Sequence, residues 1–236
     1  MPELTVPDVS VVLPAYRTAA MVSELWQRLT RTLEHDGVSF ELIFVDDACP
    51  EGSGRIIAAI RSHDRRVVLL SNDRNLGQRA AVRKGLATAR GHVVVIMDAD
   101  LQDQPEHIPA LMAELRRGGC EAVFAGRRGT YQAASRMWTS RVFKRLIAWL
   151  VGVPSDAGSF VAVSRTMADA VLALPAARPH MLVLIGATGL PVRSIPVPRA
   201  PRRAGESAYS EWSRLRFGIA SVWTALALRW GRWITG

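Results

Sequence analysis

Lysine is nearly missing from this chain: of its 30 basic residues only Lys84 and Lys144 are lysine, and the rest are arginine. Arginine forks suit phosphate, although a genome biased toward arginine codons gives the same count. Cysteine is as sparse. Cys49 and Cys120 stand alone, which excludes a disulfide framework and a cysteine-based metal site. No stretch reaches the roughly 18–20 apolar residues that a bilayer-spanning helix needs. Pro2, Glu3, Pro7 and Asp8 interrupt the N-terminus where a signal peptide would be apolar, so a cytoplasmic location is expected. Nucleic acid is the usual partner for a net charge of +9, but there is no helix-turn-helix pattern, zinc spacing or aromatic RNA-binding motif, and none is expected here. Internal repeats and low-complexity segments are absent as well.

What is present fits one α/β domain with a core large enough to be stable unaided, at 236 residues. Short apolar runs alternate with helix-like segments through the first half: Val9–Leu13, a helix near Ala20–Glu34, Leu42–Val45, a helix near Gly54–His63, Val67–Leu70, a helix near Arg79–Ala89, Val93–Met97, a helix after Pro105, and Ala122–Ala125. That alternation predicts a mostly parallel sheet with helices on both faces. Beyond residue 130 the pattern changes. The segment 191–209 is rich in proline and arginine, and 213–236 returns to an apolar helical pattern. The expected organisation is a catalytic domain over 1–210 with a C-terminal amphipathic helical extension over 211–236. Charge divides unevenly: residues 1–115 hold 12 basic and 16 acidic side chains, while 116–236 hold 18 and 5. The acidic half suits a cation; the basic half suits phosphate or an anionic membrane surface.

The most informative junction is Val93-Val94-Val95-Ile96-Met97 running into Asp98-Ala99-Asp100-Leu101-Gln102-Asp103. Five apolar residues read as a strand buried on both faces. Carboxylates then arrive where the open edge of an α/β sheet binds ligands. Asp98 and Asp100 can bring oxygens to one hard cation, so the junction reads as a metal–diphosphate site. The bland alternative is an acidic turn capping a helix that starts near Pro105 or Pro109 and runs to about Leu115.

Four further motifs accompany it. Pro14-Ala15-Tyr16 ends the first strand and can set a ring at the sheet edge. Asp46-Asp47 ends the second, where carboxylates accept hydrogen bonds either from a base or ribose or from a helix N-terminus. Asn75-Leu76-Gly77 precedes a helix carrying Ala81, Gly85 and Ala89, small residues whose spacing favours close helix–sheet packing. Arg202-Arg203-Ala204-Gly205-Glu206-Ser207-Ala208-Tyr209 reads as a loop able to close over a diphosphate, or as an exposed basic loop.

Taken in order, these residues resemble family 2 glycosyltransferases of the GT-A fold, and within them the polyprenyl-phosphate glycosyltransferases, which include dolichol-phosphate mannose synthases. The likeness covers about residues 9–210. Its most specific pieces are Val45-Asp46-Asp47, Asn75-Leu76-Gly77, Asp98 through Asp103, and Arg202-x-x-Gly205-x-Ser207-x-Tyr209. The resemblance implies a Rossmann-like sheet and transfer from a nucleotide-diphosphate sugar, with Mg²⁺ or Mn²⁺ as cofactor. It implies that Pro14, Tyr16, Asp46, Asp47, Asp98, Ala99 and Ser207 bind the nucleotide-sugar, with Asp98 and Asp100 at the metal. Asp100, Gln102, Asp103 and Arg202 would then serve the transfer itself, Gln102 near the sugar and Arg202 on the donor phosphates. Arg127, Arg136 and Ser140 match positions that receive an acceptor phosphate. The chain departs from the family pattern at Arg17-Thr18, where Asn-Glu is frequent, and at Ser159-Phe160-Val161, where Asp-Phe-Arg is frequent. It departs also at Ala208, where lysine is common, and in lacking the two C-terminal membrane spans of many relatives.

The implied reaction is inverting: an acceptor oxygen attacks the anomeric carbon and a nucleoside diphosphate leaves. A phosphate acceptor is already anionic and needs no strong base, which fits the absence of an obvious catalytic histidine or nucleophile. Asp103 and Asp156 are the candidate bases if the acceptor is a hydroxyl. Trp138–Val153 mixes Trp138, Phe143 and Trp149 with Arg141, Lys144 and Arg145. Arg214–Trp233 combines three tryptophans with four arginines. Such segments suit the bilayer interface, or pack on the domain or on a second copy in a homo-oligomer. The leading expectation is a polyprenyl-phosphate glycosyltransferase held peripherally at the inner face of the cell membrane. A soluble glycosyltransferase acting on a small-molecule hydroxyl and a non-catalytic nucleotide-sugar-binding protein are the alternatives.

Overall fold

Val9, Val11, Leu13 and Ala15 face one apolar cluster and Val12 faces another, all fully buried, so the first strand is covered on both sides as the apolar run requires. The computed structural model describes residues 5–128, 148, 152–175 and 181–198. In chain order the elements are β1 (Val9–Ala15), α1 (Ala19–His35), β2 (Phe40–Asp46), α2 (Ser53–Arg61), β3 (Val67–Ser71), α3 (Gln78–Thr88), β4 (Val93–Ile96), a 3₁₀ turn (Pro105–His107), α4 (Ile108–Arg116), β5 (Ala122–Arg128), β6 (Val161–Ser164), α5 (Arg165–Ala173), α6 (Met181–Ala187) and β7 (Val192–Pro198).

The strands form one sheet in the order β3-β2-β1-β4-β6-β5-β7. β1, β2, β3 and β4 pair in parallel, β6 runs antiparallel to both β4 and β5, and β7 is again parallel to β5. The expected mostly parallel sheet is therefore present, with β6 reversed.

Side-chain alternation sorts the core into two layers. Phe40, Leu42 and Phe44 of β2 and Val95 of β4 meet α1, α2 and α4; Ile43 and Val45 of β2 and Val94 and Ile96 of β4 meet α3, α5 and α6. The α1 helix has no side-chain cap at Thr18, an omission worth about 1 kcal/mol. Its buried stripe of Val22, Leu25, Leu29 and Leu33 outweighs that, at about 1.5–3 kcal/mol per side chain. The α3 helix lies close because its inward face is small: a methyl group added at Gly85 would run into Cγ1 of Val12. The packing role read from Ala81 and Gly85 is thus what this helix displays, while Ala89 lies just past its end in extended backbone. Residues 129–147 and 199–236, the proposed membrane-facing helices among them, lie outside the described residues apart from the boundaries given above.

Candidate active site

Parallel strands that enter an open sheet from one side leave their C-terminal ends along one edge, where ligands bind. The registers of β1, β2 and β4 bring the ends of those strands together: Ala15 pairs with Asp46, and Val12 with Ile96. One step beyond the ladder, Asp47 N donates to Ala15 O at 3.1 Å and Met97 N to Val12 O at 3.2 Å. Tyr16, Asp47 and the acidic turn after β4 therefore share this edge.

The acidic turn is fixed from beneath. Ala99 and Leu101 are buried in the core at 2% and 4% exposure, and Leu101 adopts φ +59° to get there. A left-handed backbone at a branched residue is uncommon and persists only where packing enforces it. Burying alternate residues leaves Asp98 and Asp100 at the partly exposed edge. Asp100 Oδ1 accepts the backbone N–H of Gln102 at 3.1 Å. Asp98 Oδ2 accepts the Ser159 hydroxyl at 2.9 Å, and its Oδ1 accepts the Gln78 side-chain amide. Gln102 and Asp103 turn inward and are buried. The helix anticipated after this turn begins with the 3₁₀ turn at Pro105, and Pro109 is the second residue of α4.

Asp47 takes its hydrogen bonds from the loop that leads into α3. It is 2% exposed, and its Oδ1 accepts from Asn72 Nδ2 at 2.8 Å and Leu76 N at 2.9 Å while Oδ2 accepts from Gly77 N at 2.7 Å. It clamps the loop that leads into α3. Lys84 reinforces that loop by donating to Ser71 O and Asn72 Oδ1 at 2.7 and 2.8 Å. Asp46 Oδ1 accepts Cys49 N at 3.2 Å, making a turn on the far side of the strand end. Burial works to raise the Cys49 thiol, but hydrogen bonds from Ser53 and from the backbone N–H groups of Ser53, Glu51 and Arg17 outweigh it and leave the thiol below its usual value. Tyr16 stands exposed at this edge, with the Arg17 guanidinium 5.6 Å from its ring centre. Leu76 is the other large apolar residue exposed here.

A cavity of about 670 Å³ opens beside Asp98. Gln78, Ile96, Ser159 and Val161 line it together with Met181 and Ile185 of α6. Its size lies in the range of small-molecule sites. Asp156, the second candidate base, lies with its carboxylate over Gly126, where a Cβ would strike it. Arg127 belongs to β5, paired with Val197 of β7. Arg136, Ser140, Arg202 and Ser207 lie outside the described residues. Sequence reading passed over Gln78, Asn72 and Lys84. The one available signal was polarity at the start of α3, immediately after Gly77.

Among the described residues no group of three or more His, Cys, Asp or Glu side chains is arranged to hold a metal ion. The acidic turn offers two hard oxygen donors at the strand edge, Asp98 and Asp100. It fits an ion that takes its remaining ligands from diphosphate and water, as Mg²⁺-type sites do.

A glycosyl transferase family 2 model matches residues 10–172. The chain belongs to this family. It is 34% identical over 229 residues to the undecaprenyl-phosphate 4-deoxy-4-formamido-L-arabinose transferase of Pseudomonas fluorescens, an alignment covering 94% of this chain and 66% of the relative. It is 29% identical over 218 residues to the uncharacterized glycosyltransferase YkcC of Bacillus subtilis, covering 91% and 67%. The chain thus spans about two thirds of the length of these relatives. In fold it is similar to glucosyl-3-phosphoglycerate synthase from Mycobacterium tuberculosis in complex with Mn²⁺, UDP-glucose and phosphoglyceric acid, with a TM-score of 0.65 and 21% identity over 93% of this chain and 79% of that one. It is also similar to the mannosyltransferase PcManGT from Pyrobaculum calidifontis in complex with GDP-Man and Mn²⁺, with a TM-score of 0.61 and 16% identity over 98% and 76%. The architecture is GT-A. Among the described residues no helix is long and apolar enough to cross a membrane.

Proposed function

We propose that this chain is an inverting glycosyltransferase that moves a sugar from a nucleotide-diphosphate sugar to a polyprenyl phosphate. The observation that carries this reading is the acidic turn. Burial of Ala99 and Leu101 holds Asp98 and Asp100 at the strand edge, beside Tyr16 and beside a loop clamped by Asp47. The family assignment and the undecaprenyl-phosphate relatives supply the reaction class and the acceptor class.

Tyr16 and Pro14 would flank the base, and the clamped loop would shape the nucleotide's side of the edge. Asp98 and Asp100 would hold Mg²⁺ or Mn²⁺, which when bound neutralises negative charge growing on the departing diphosphate. Arg202 would act on the same charge. Arg127, Arg136 and Ser140 would receive the acceptor phosphate, with Gln102 beside the sugar. A phosphate monoester attacks as an anion, so no residue need remove a proton from it. Trp138, Phe143 and Trp149 among basic residues support a peripheral position at the inner face of the membrane, where a lipid-borne phosphate reaches the site with its tail still in the bilayer.

The test is a panel of nucleotide sugars assayed for transfer with undecaprenyl phosphate in anionic vesicles, and with soluble hydroxyl acceptors. Transfer to the lipid, vesicle binding that weakens with salt, and loss of lipid transfer with retained donor binding in Arg136→Ala are the expected results. Transfer to a soluble hydroxyl alone, with no vesicle binding, replaces this reading by the small-molecule one.

A further inference from the structure

The antiparallel pairing of β4 with β6 matches Val93 with Ser164 and Ile96 with Val161. Carried two residues past Ile96 and two residues before Val161, the same register sets Asp98 opposite Ser159. The backbone ladder has ended there and the side chains continue it, with the Ser159 hydroxyl donating to Asp98 Oδ2 at 2.9 Å. The other oxygen, Oδ1, accepts the side-chain amide of Gln78, the first residue of α3. Gln78 is itself placed by its neighbour, because the Gly77 N–H is bound to Asp47. Each oxygen of Asp98 is therefore gripped by a different element, one from the helix side and one from the connection that enters β6. All three side chains line the same cavity.

We propose that Gln78 and Ser159 are positioning residues for sugar transfer, fixing the plane of the Asp98 carboxylate before the ion and the diphosphate arrive. The proposal rests on the reading of Asp98 as part of the ion–diphosphate site. A carboxylate at a strand end turns about two side-chain bonds, and a single donor leaves one of those rotations open. Donors on both oxygens leave one orientation. Both donors are neutral, so they orient the carboxylate without cancelling the charge that a cation would need; a lysine or arginine in either place would cancel it. Partners of this kind around metal-binding carboxylates set affinity as well as geometry, and removing one costs roughly tenfold or more.

The experiment measures Mn²⁺ binding by the electron paramagnetic resonance of the free ion, in the presence of UDP and, in parallel, GDP. The proteins compared are the parent, Ser159→Ala, Ser159→Thr, Gln78→Ala and Asp98→Ala, with thermal unfolding recorded for each. Ser159→Ala and Gln78→Ala should each raise the Mn²⁺ Kd by about tenfold with little change in Tm. Ser159→Thr, which keeps the hydroxyl, should stay within about twofold of the parent. Parent-like Mn²⁺ affinity in both alanine variants, with weakened binding in Asp98→Ala, overturns the positioning role and leaves the site reading standing. A threonine variant as weak as the alanine variant also overturns it, since packing and not the hydroxyl would then matter. Unchanged binding in Asp98→Ala, or a parent that binds no Mn²⁺ with either nucleotide, overturns the site reading and the proposal together.

Discussion

Asp47 and Gly77 are joined by a 2.7 Å hydrogen bond from the glycine N–H to Oδ2 of the aspartate, tying the end of β2 to the residue that precedes α3. The same carboxylate takes the Leu76 N–H and the Asn72 amide, so one buried side chain satisfies three donors. Asp47→Ala removes the acceptor and leaves partly buried N–H groups unpaired. The expected cost is about 3 kcal/mol of stability, with Asp47→Asn losing roughly half as much because one acceptor oxygen remains. Urea unfolding measures both. Nucleotide affinity should fall in parallel, because the loop these bonds hold borders the proposed base site.

Asp100→Ala should abolish turnover while leaving the unfolding midpoint close to that of the parent. It accepts the nearby Gln102 N–H, and a partly exposed strand-end carboxylate contributes little to the core. Chelation with excess EDTA should stop the parent enzyme and Mg²⁺ or Mn²⁺ should restore it. Full turnover in chelator would remove the ion from the mechanism.

Arg202→Ala should reduce kcat more than it weakens binding of the nucleotide alone. A guanidinium that meets charge developing on the leaving diphosphate stabilises the transition state beyond the ground state. Single-turnover rates beside nucleotide titrations separate the two effects. Unchanged rates with weaker nucleotide binding would make Arg202 a simple binding contact.

Away from the site, Asp64 gives the fold an acid-sensitive tie. Burial pushes its carboxyl up, but hydrogen bonds from Arg66 and Trp26 prevail and bring it down to about 2. Those bonds are 2.8 Å from Arg66 Nε and 2.9 Å from Trp26 Nε1. A carboxylate with a depressed folded value contributes stability above its unfolded value near 4, and that stability is lost as pH falls from about 4 through about 2. The contribution is at most about 2 kcal/mol. Asp64→Asn should lower stability at neutral pH and flatten the pH dependence in that window, as read by urea unfolding at a series of pH values.

The first half of the fold is legible in sequence because its strands are apolar runs and its helices carry a clear stripe; the expected strand Val9–Leu13 and helix near Ala20–Glu34 differ from β1 and α1 by two residues or fewer at each end. The later elements escape for physical reasons. β7 contains Pro196 and Pro198, which argue against a strand unless it lies at a sheet edge, and β7 is an edge strand. β6 has four residues, and α6 is a seven-residue apolar run whose period does not separate helix from strand. At the site, the Asp98–Asp100 turn was visible as a motif because its residues are adjacent. The grip on Asp98 was not, since Gln78 and Ser159 lie 20 and 61 residues away, one brought in at the start of α3 and the other by the β4–β6 register.

The reversed direction of β6 decides which of its two flanking connections reaches the ligand edge. A parallel strand presents its outgoing loop at the ligand edge, so each of β1, β2 and β4 offers the residues that follow it. β6 presents its incoming loop instead, and residues before Val161 therefore complete an edge that the first hundred residues began.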